Sequence, residues 1–222
     1  MPRTQTRKRP PLSRDRVLRA AIRLADRDGI ESLSMRKLGQ ELGVEAMSLY
    51  NHVRNKEEIL NGLVDVVFSE IELPSSSADW STVMRRRAIS ARQALKRHPW
   101  AIALMESRTQ PGPATLRHHE AVLASFRRAG FSIVMTAHAY SLLDSYVYGF
   151  TLNELALPLS TESEIGDVAG NILNANPTGA YPYLMEMAVE HAMKPGYDYG
   201  HEFEFGLDLI LAGLLRSKRA SR

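Results

Sequence analysis

The sequence has no cysteine, which excludes disulfides and thiolate metal centres at once. No apolar run approaches the roughly 20 residues needed to span a bilayer. The basic N-terminus is not followed by the apolar stretch of a secretory signal. Strand-like alternation and internal repeats are missing too. So are the phosphate-loop, G-x-G-x-x-G, G-x-S-x-G and H-E-x-x-H patterns. His118, His119 and Glu120 stand side by side, but neighbours on a helix point about 100° apart and do not converge on one ion. His138, His191 and His201 are isolated and read as satisfied core or surface histidines. The expectation is a cytoplasmic protein that is not an enzyme, with no cofactor, no metal and no membrane partner.

What is present is a chain of 222 residues, 44% hydrophobic, enough for one large domain or a small one joined to a larger. Its charge is unevenly placed. Residues 1–62 hold 13 basic and 8 acidic side chains, a net of +5, and the remainder holds 15 and 17, a net of −2. Arg3, Arg7, Lys8 and Arg9 precede any acid, and Pro2, Pro10 and Pro11 lie among them, so residues 1–12 read as a flexible basic arm. Such an arm suits a polyanionic partner; a solvated leader is the other reading.

Everything after the arm reads as helix, an all-α architecture. Ser13 caps a first helix whose apolar face is Val17, Leu18, Ala21, Ile22 and Ala25, and Gly29 closes it. A short helix from Ser34 ends at Gly43, and a third covers about 46–52. Asn55 caps a fourth with Ile59, Leu63, Val67 and Ile71 every four residues, stopped near Pro74. Further helices are expected over roughly 79–97, 99–107, 113–129, 132–156, 179–194 and 198–217, parted by prolines and glycines. The mixed, polar stretch 157–178 reads as a loop with a short helix inside.

The stretch 34–56, SMRKLGQELGVEAMSLYNHVRNK, has the anatomy of a helix-turn-helix. Gly39 is small where two helices must cross closely, and Gly43 supplies a left-handed turn residue. Leu38, Leu42, Val44 and Leu49 make a small core. That leaves helix 46–52 outside, where its N-terminal end can enter a major groove. An ordinary helical hairpin would show similar spacings. Ser48, Tyr50, Asn51 and His52 are hydrogen-bonding types suited to phosphates and base edges, and Lys56 opens a helix whose N-terminus attracts a phosphate.

The run RDGIESLSMRKLGQELGVEAMSLYNHVRNKEEIL resembles the DNA-binding domain of the TetR family of transcription regulators, above all the tetracycline repressors. RRAGFSIVMTAHAYSLLDSYVYGFTLNE and FEFGLDLILAGLL resemble their regulatory core. The resemblance implies a DNA-binding domain over 13–60 and a regulatory, dimerising domain over 61–222. It implies DNA contacts at Met35 and Arg36 and at Ala46, Met47, Ser48, Tyr50, Asn51, His52 and Lys56, with Tyr50 and Lys56 on phosphates. Met47 stands where the tetracycline repressors carry proline and Asn51 where they carry tryptophan, so a different operator is expected. Leu104 or Met105, and Glu72, stand where those repressors hold a magnesium–drug chelate with histidines, so that chemistry is not expected here.

A more apolar small-molecule effector follows, with Trp100, Met105, Met135, Tyr140, Tyr146 and Phe150 as candidate contacts. The same side chains are also ordinary core material. On the last helix Gly206 and Gly213 lie a heptad apart beside Ile210 and Leu214, a cost of about 1 kcal/mol per glycine that close helix packing would explain. A homodimer is expected through these four residues, with a core contact inside one chain as the alternative. The function expected is a ligand-responsive repressor on a palindromic double-stranded operator, associated with the bacterial nucleoid when bound. A sequence-tolerant architectural protein without an effector is the second reading.

Overall fold

The computed structural model describes residues 11–75, 79–107, 110–157, 162–175 and 179–220. The basic side chains Arg3, Arg7, Lys8 and Arg9 lie outside them. Among the described residues every regular element is a helix, and no helix is long and apolar enough to cross a membrane.

Helix α1 (Arg14–Asp28) starts where Ser13 Oγ accepts the Arg16 N–H at 3.3 Å and ends at Gly29, φ 78°. A 3-10 turn (Ile30–Ser32) leads to α2 (Met35–Leu42) and α3 (Ala46–Leu49). The expected third helix to residue 52 is shorter as α-helix: Tyr50–His52 continue as turns, with the His52 and Val53 N–H groups both donating to Leu49 O. Helix α4 (Lys56–Glu70) is capped by Asn55, whose Oδ1 accepts the Glu58 N–H at 2.8 Å. Then follow α5 (Trp80–Arg97), α6 (Ala101–Ser107), α7 (Pro113–Arg128), α8 (Ile133–Ala156), α9 (Glu162–Asn174), α10 (Pro182–Met187) and α11 (Tyr199–Ala220).

Two stretches depart from the expected helices. Within 157–178 lies a helix of 13 residues, α9, which buries Ile165 and Ala169 four apart. Gly166 and Gly170 dilute its propensity, and so its pattern. Over 179–194 the regular α-helix is only α10, continued by a π turn (Ala188–Ala192).

The chain forms two compact units. The first is 1–70 with 97–118; the second is 71–96 with 119–222. The first therefore takes in α6 and the start of α7 as well as α1–α4. Its core includes Val17, Leu24, Leu38, Leu49, Ile59 and Leu63, all essentially inaccessible; burying each such aliphatic side chain is worth about 2 kcal/mol. Asp65 of α4 caps α7, its Oδ1 accepting the Thr115 N–H at 2.8 Å. In the second unit Trp80, Phe126 and Phe131 pack with centroids 4.9–5.7 Å apart. There Arg87 of α5 and Asp144 of α8 form a buried ion pair at 2.7 Å.

Candidate nucleic-acid interface

The two helices of the motif are fixed by backbone chemistry. Ser34 Oγ caps α2 by accepting the Lys37 N–H at 3.2 Å. At the other end Gly43 is left-handed (φ 67°, ψ 40°), its N–H donating to Gln40 O at 3.1 Å, while the Val44 N–H donates to Gly39 O at 2.9 Å. That paired closure is a Schellman motif, and it sets the angle at which the chain enters α3. Gly39 is buried at the crossing; a Cβ there would stand 2.8 Å from Val44 O and 3.2 Å from the Ala46 N. Leu38, Leu42, Leu49 and Val53 fill the space beneath.

Above this support the outward residues are unusual for a protein surface. Met47 is 74% exposed and Tyr50 45%, and Arg36, Asn51 and Lys56 are exposed beside them in sequence. Met35, Ala46, Ser48 and His52 are half-buried. The nine expected DNA residues thus fall on the N-terminal end of α2, on α3 with its following turn, and on the first residue of α4. Among the described residues, neither Arg36 nor Lys56 forms an ion pair. Arg14 and Arg54 in the same unit are both committed to Glu58, whose carboxyl their hydrogen bonds hold below the usual range, the Arg54 backbone N–H contributing most. Arg36 and Lys56, in the first turns of α2 and α4, are thus among the cations left for a polyanion.

The expected effector residues are divided between the two units. Trp100 and Met105 belong to the first unit, and Trp100 is buried with its Nε1–H donating to Asp26 Oδ1 at 2.7 Å. Met135, Tyr140, Tyr146 and Phe150 all lie on α8 in the second. Tyr140 O–H lies 2.5 Å from His119 Nδ1. Burial pushes the His119 imidazole down and the Tyr140 phenol up, the latter helped by the charge of Asp144. Tyr146 and Phe150 belong to a second cluster: Tyr146 stacks on Phe203, Phe150 on Tyr199. Arg92 lies 5.0 Å from the Phe203 centroid while gripping Glu154 at 2.6 and 2.7 Å. A polar cleft of about 390 Å³ lies between Asn55, Glu57, Glu58 and Asn61 of the α4 start and Ser107 and Gln110. It contains none of the expected effector residues.

On α11, Gly206 admits the Tyr146 hydroxyl, which a Cβ would meet at 2.2 Å, so its smallness is used inside the chain. Leu214 is buried, Ile210 half-buried, and Gly213 has open space around it. The apolar face of α11 that stays open is Phe205 (65% exposed) and Leu209 (56%), with Ala212. Helix α8 exposes a row of small residues every four positions, Ala137, Ser141, Ser145 and Gly149. Both rows are visible in the sequence, while Phe203, Leu207, Leu211 and Leu214 on α11 are buried in the chain's own core.

Residues 17–63 match the family described as bacterial regulatory proteins, tetR family, and residues 73–217 match the tetracyclin repressor-like C-terminal domain. An HTH-type transcriptional regulator of Saccharopolyspora erythraea is 33% identical over 214 residues, covering 96% of this chain and 89% of its own. The class A tetracycline repressor of Escherichia coli is 30% identical over 209 residues, covering 93% and 92%. Among solved structures, the TetR family protein ActR of Streptomyces coelicolor in complex with actinorhodin aligns with a TM-score of 0.77 at 28% identity, over 94% of this chain and 99% of that one.

Proposed function

The chain belongs to the TetR family of bacterial transcriptional regulators, and from that premise we propose that it is a homodimeric repressor that holds a palindromic operator and releases it to an apolar small molecule. The observation that carries the DNA half is the outward set Met47, Tyr50 and Asn51, standing over a locked Schellman turn with Arg36 and Lys56 unpaired beside it. In this reading Tyr50 and Lys56 hold phosphates and fix register. Arg36 reads a guanine, and Ala46 and Met47 offer apolar contact to thymine methyls. Met35, Ser48, Asn51 and His52 complete the contact set. Residues 13–60 act as the DNA-binding domain and 61–222 as the regulatory one.

The open row of small residues on α8 and the open apolar row on α11 support a dimer, since Phe205 and Leu209 stay exposed among the described residues. Gly149 and Gly213, both with open space around them, would let a partner helix approach closely. Twofold symmetry then sets two recognition helices about 34–36 Å apart, one turn of DNA. The effector reading draws on ActR, solved with actinorhodin, and on the mixture of aromatic rings and a few polar groups along α8. Tyr140 with His119 is the hydrogen-bonding handle of that set. Such a ligand acts only through its differential affinity for operator-bound and released conformations. No catalysis is assigned, and the protein acts in the cytoplasm, where its operator is.

Selection of bound sequences from a random duplex library by the purified protein tests this. Enrichment of a palindrome with half-sites one turn apart is expected. Uniform binding that vanishes with salt would replace the repressor with an architectural protein.

A further inference from the structure

Helices α1 and α4 run side by side in the same direction. Arg14 meets Glu58, Leu18 lies under Gly62, and Asp26 and Glu70 share a partner, each pair 44 residues apart. Their N-terminal ends belong to the DNA-reading side, where Lys56 opens α4. Their C-terminal ends both carry negative dipole charge, and each also carries a carboxylate, an arrangement that repels itself. What lies between is His98, in the sharp link between α5 and α6, only 6% exposed.

Its Nδ1 is 2.8 Å from Asp26 Oδ1, and its Nε2 is 3.3 Å from both oxygens of Glu70. Arg97, the last residue of α5, binds Glu70 at 2.7 Å, and Trp100 Nε1 donates to the same Asp26 oxygen. Among the described residues, Asp26 from α1 and Glu70 from α4 are the charged groups that bond the ring, Arg97 of α5 pairs with Glu70, and Trp100, just before α6, faces the ring. Burial works against the Glu70 charge, yet Arg97 and His98 hold its carboxyl below the usual range. Carboxylates only accept. A neutral imidazole has a single N–H and can satisfy one of the two, whereas an imidazolium satisfies both. The charges agree: two carboxylates and one guanidinium leave one negative charge over, which a second ring proton cancels.

We propose that His98 is a proton-operated clasp across the C-terminal ends of α1 and α4, its doubly protonated ring tying Asp26 to Glu70 and so holding the DNA-reading helices in the arrangement an operator requires. His98 touches no DNA; it is a positioning residue. With the ring neutral, one tie is lost, and α1 and α4 gain freedom that DNA binding must then remove. Operator binding therefore takes up protons and weakens as pH rises. The inference rests on the reading of α2 and α3 as the DNA-binding element.

The test is the affinity of the full-length protein for its selected duplex, by fluorescence anisotropy at constant salt, from about pH 6 to about pH 8. A rise in Kd of about fivefold across that interval is expected, at the low end of site-to-site coupling. His98→Gln should abolish it. His52→Gln, which removes the imidazole of the recognition segment, should leave it. A wild type with no pH dependence, or a slope lost in His52→Gln and kept in His98→Gln, overturns the proposal. Should His98→Gln fail to fold, Asp26→Asn takes its place. Nitrogen-15 spectra of the histidine rings in the wild type give a second readout: at the acidic end His98 should carry protons on both nitrogens, and a singly protonated His98 there refutes the clasp. Absence of any preferred duplex at every pH would sink the DNA reading instead, leaving the ring spectra to judge the clasp.

Discussion

Replacing Asp144 with alanine isolates the most consequential buried charge. Arg87 is almost wholly inaccessible on α5, and its Nη1 meets Asp144 of α8 at 2.7 Å, also buried. Removing the carboxylate takes a close counter-charge from a buried guanidinium, which costs about 3–5 kcal/mol. At a urea slope of about 3 kcal/mol per molar, that is a midpoint lower by roughly 1–1.7 M. The figure measures the cost of the buried charge left behind, not the worth of the pair. The double variant Arg87→Met with Asp144→Leu removes both charges at similar volume and should return near the wild-type midpoint. The assay is urea unfolding followed by circular dichroism at one fixed protein concentration, because a dimer's apparent stability depends on it. An unmoved midpoint in Asp144→Ala, or a double variant no better than the single, would refute the reasoning.

At the motif crossing, Gly39→Ala forces a Cβ against backbone, a cost of about 1–3 kcal/mol against about 1 kcal/mol of gained helix propensity. Gly170→Ala on α9, with open space around it, keeps only the gain; thermal melts should therefore lower Tm for the first and raise it for the second, with operator affinity falling only in the first. Arg36→Ala should cost about 1–3 kcal/mol at one base position, whereas Lys56→Ala should weaken all duplexes alike and lower the salt slope by about one. Leu209→Glu on the open face of α11 should give a folded monomer in sedimentation analysis, and a persistent dimer would move the interface elsewhere. Glu154 is held below the ordinary glutamate range, burial being outweighed by Arg92 and Lys96. Its contribution is thus complete above about pH 4.3 and is lost as pH falls through the depressed value, so Glu154→Gln should flatten the acid limb of the Tm–pH curve.

Local backbone signals were the most legible part of the sequence. Ser13, Ser34 and Asn55 cap their helices, and Gly29 and Gly43 take positive φ, because capping and left-handed turns depend on a few neighbouring residues. The crossing at Gly39 was legible for the same reason. The shortness of α3 was not, since turns 50–53 keep helix-like spacing while changing hydrogen-bond register. The surroundings of the effector candidates were not legible, because Trp100 meets Asp26 and Phe150 meets Tyr199, contacts between elements distant in sequence. Gly206 accommodates Tyr146 for a similar reason. His98 gave no signal in the sequence: its partners are 72 and 28 residues away.

The most direct test of the central claim is an equilibrium titration of the selected palindrome and of a scrambled duplex of the same composition, at matched salt. The account predicts a preference of at least about 10³-fold, with two chains bound per palindrome. Equal affinity for the two duplexes would contradict it.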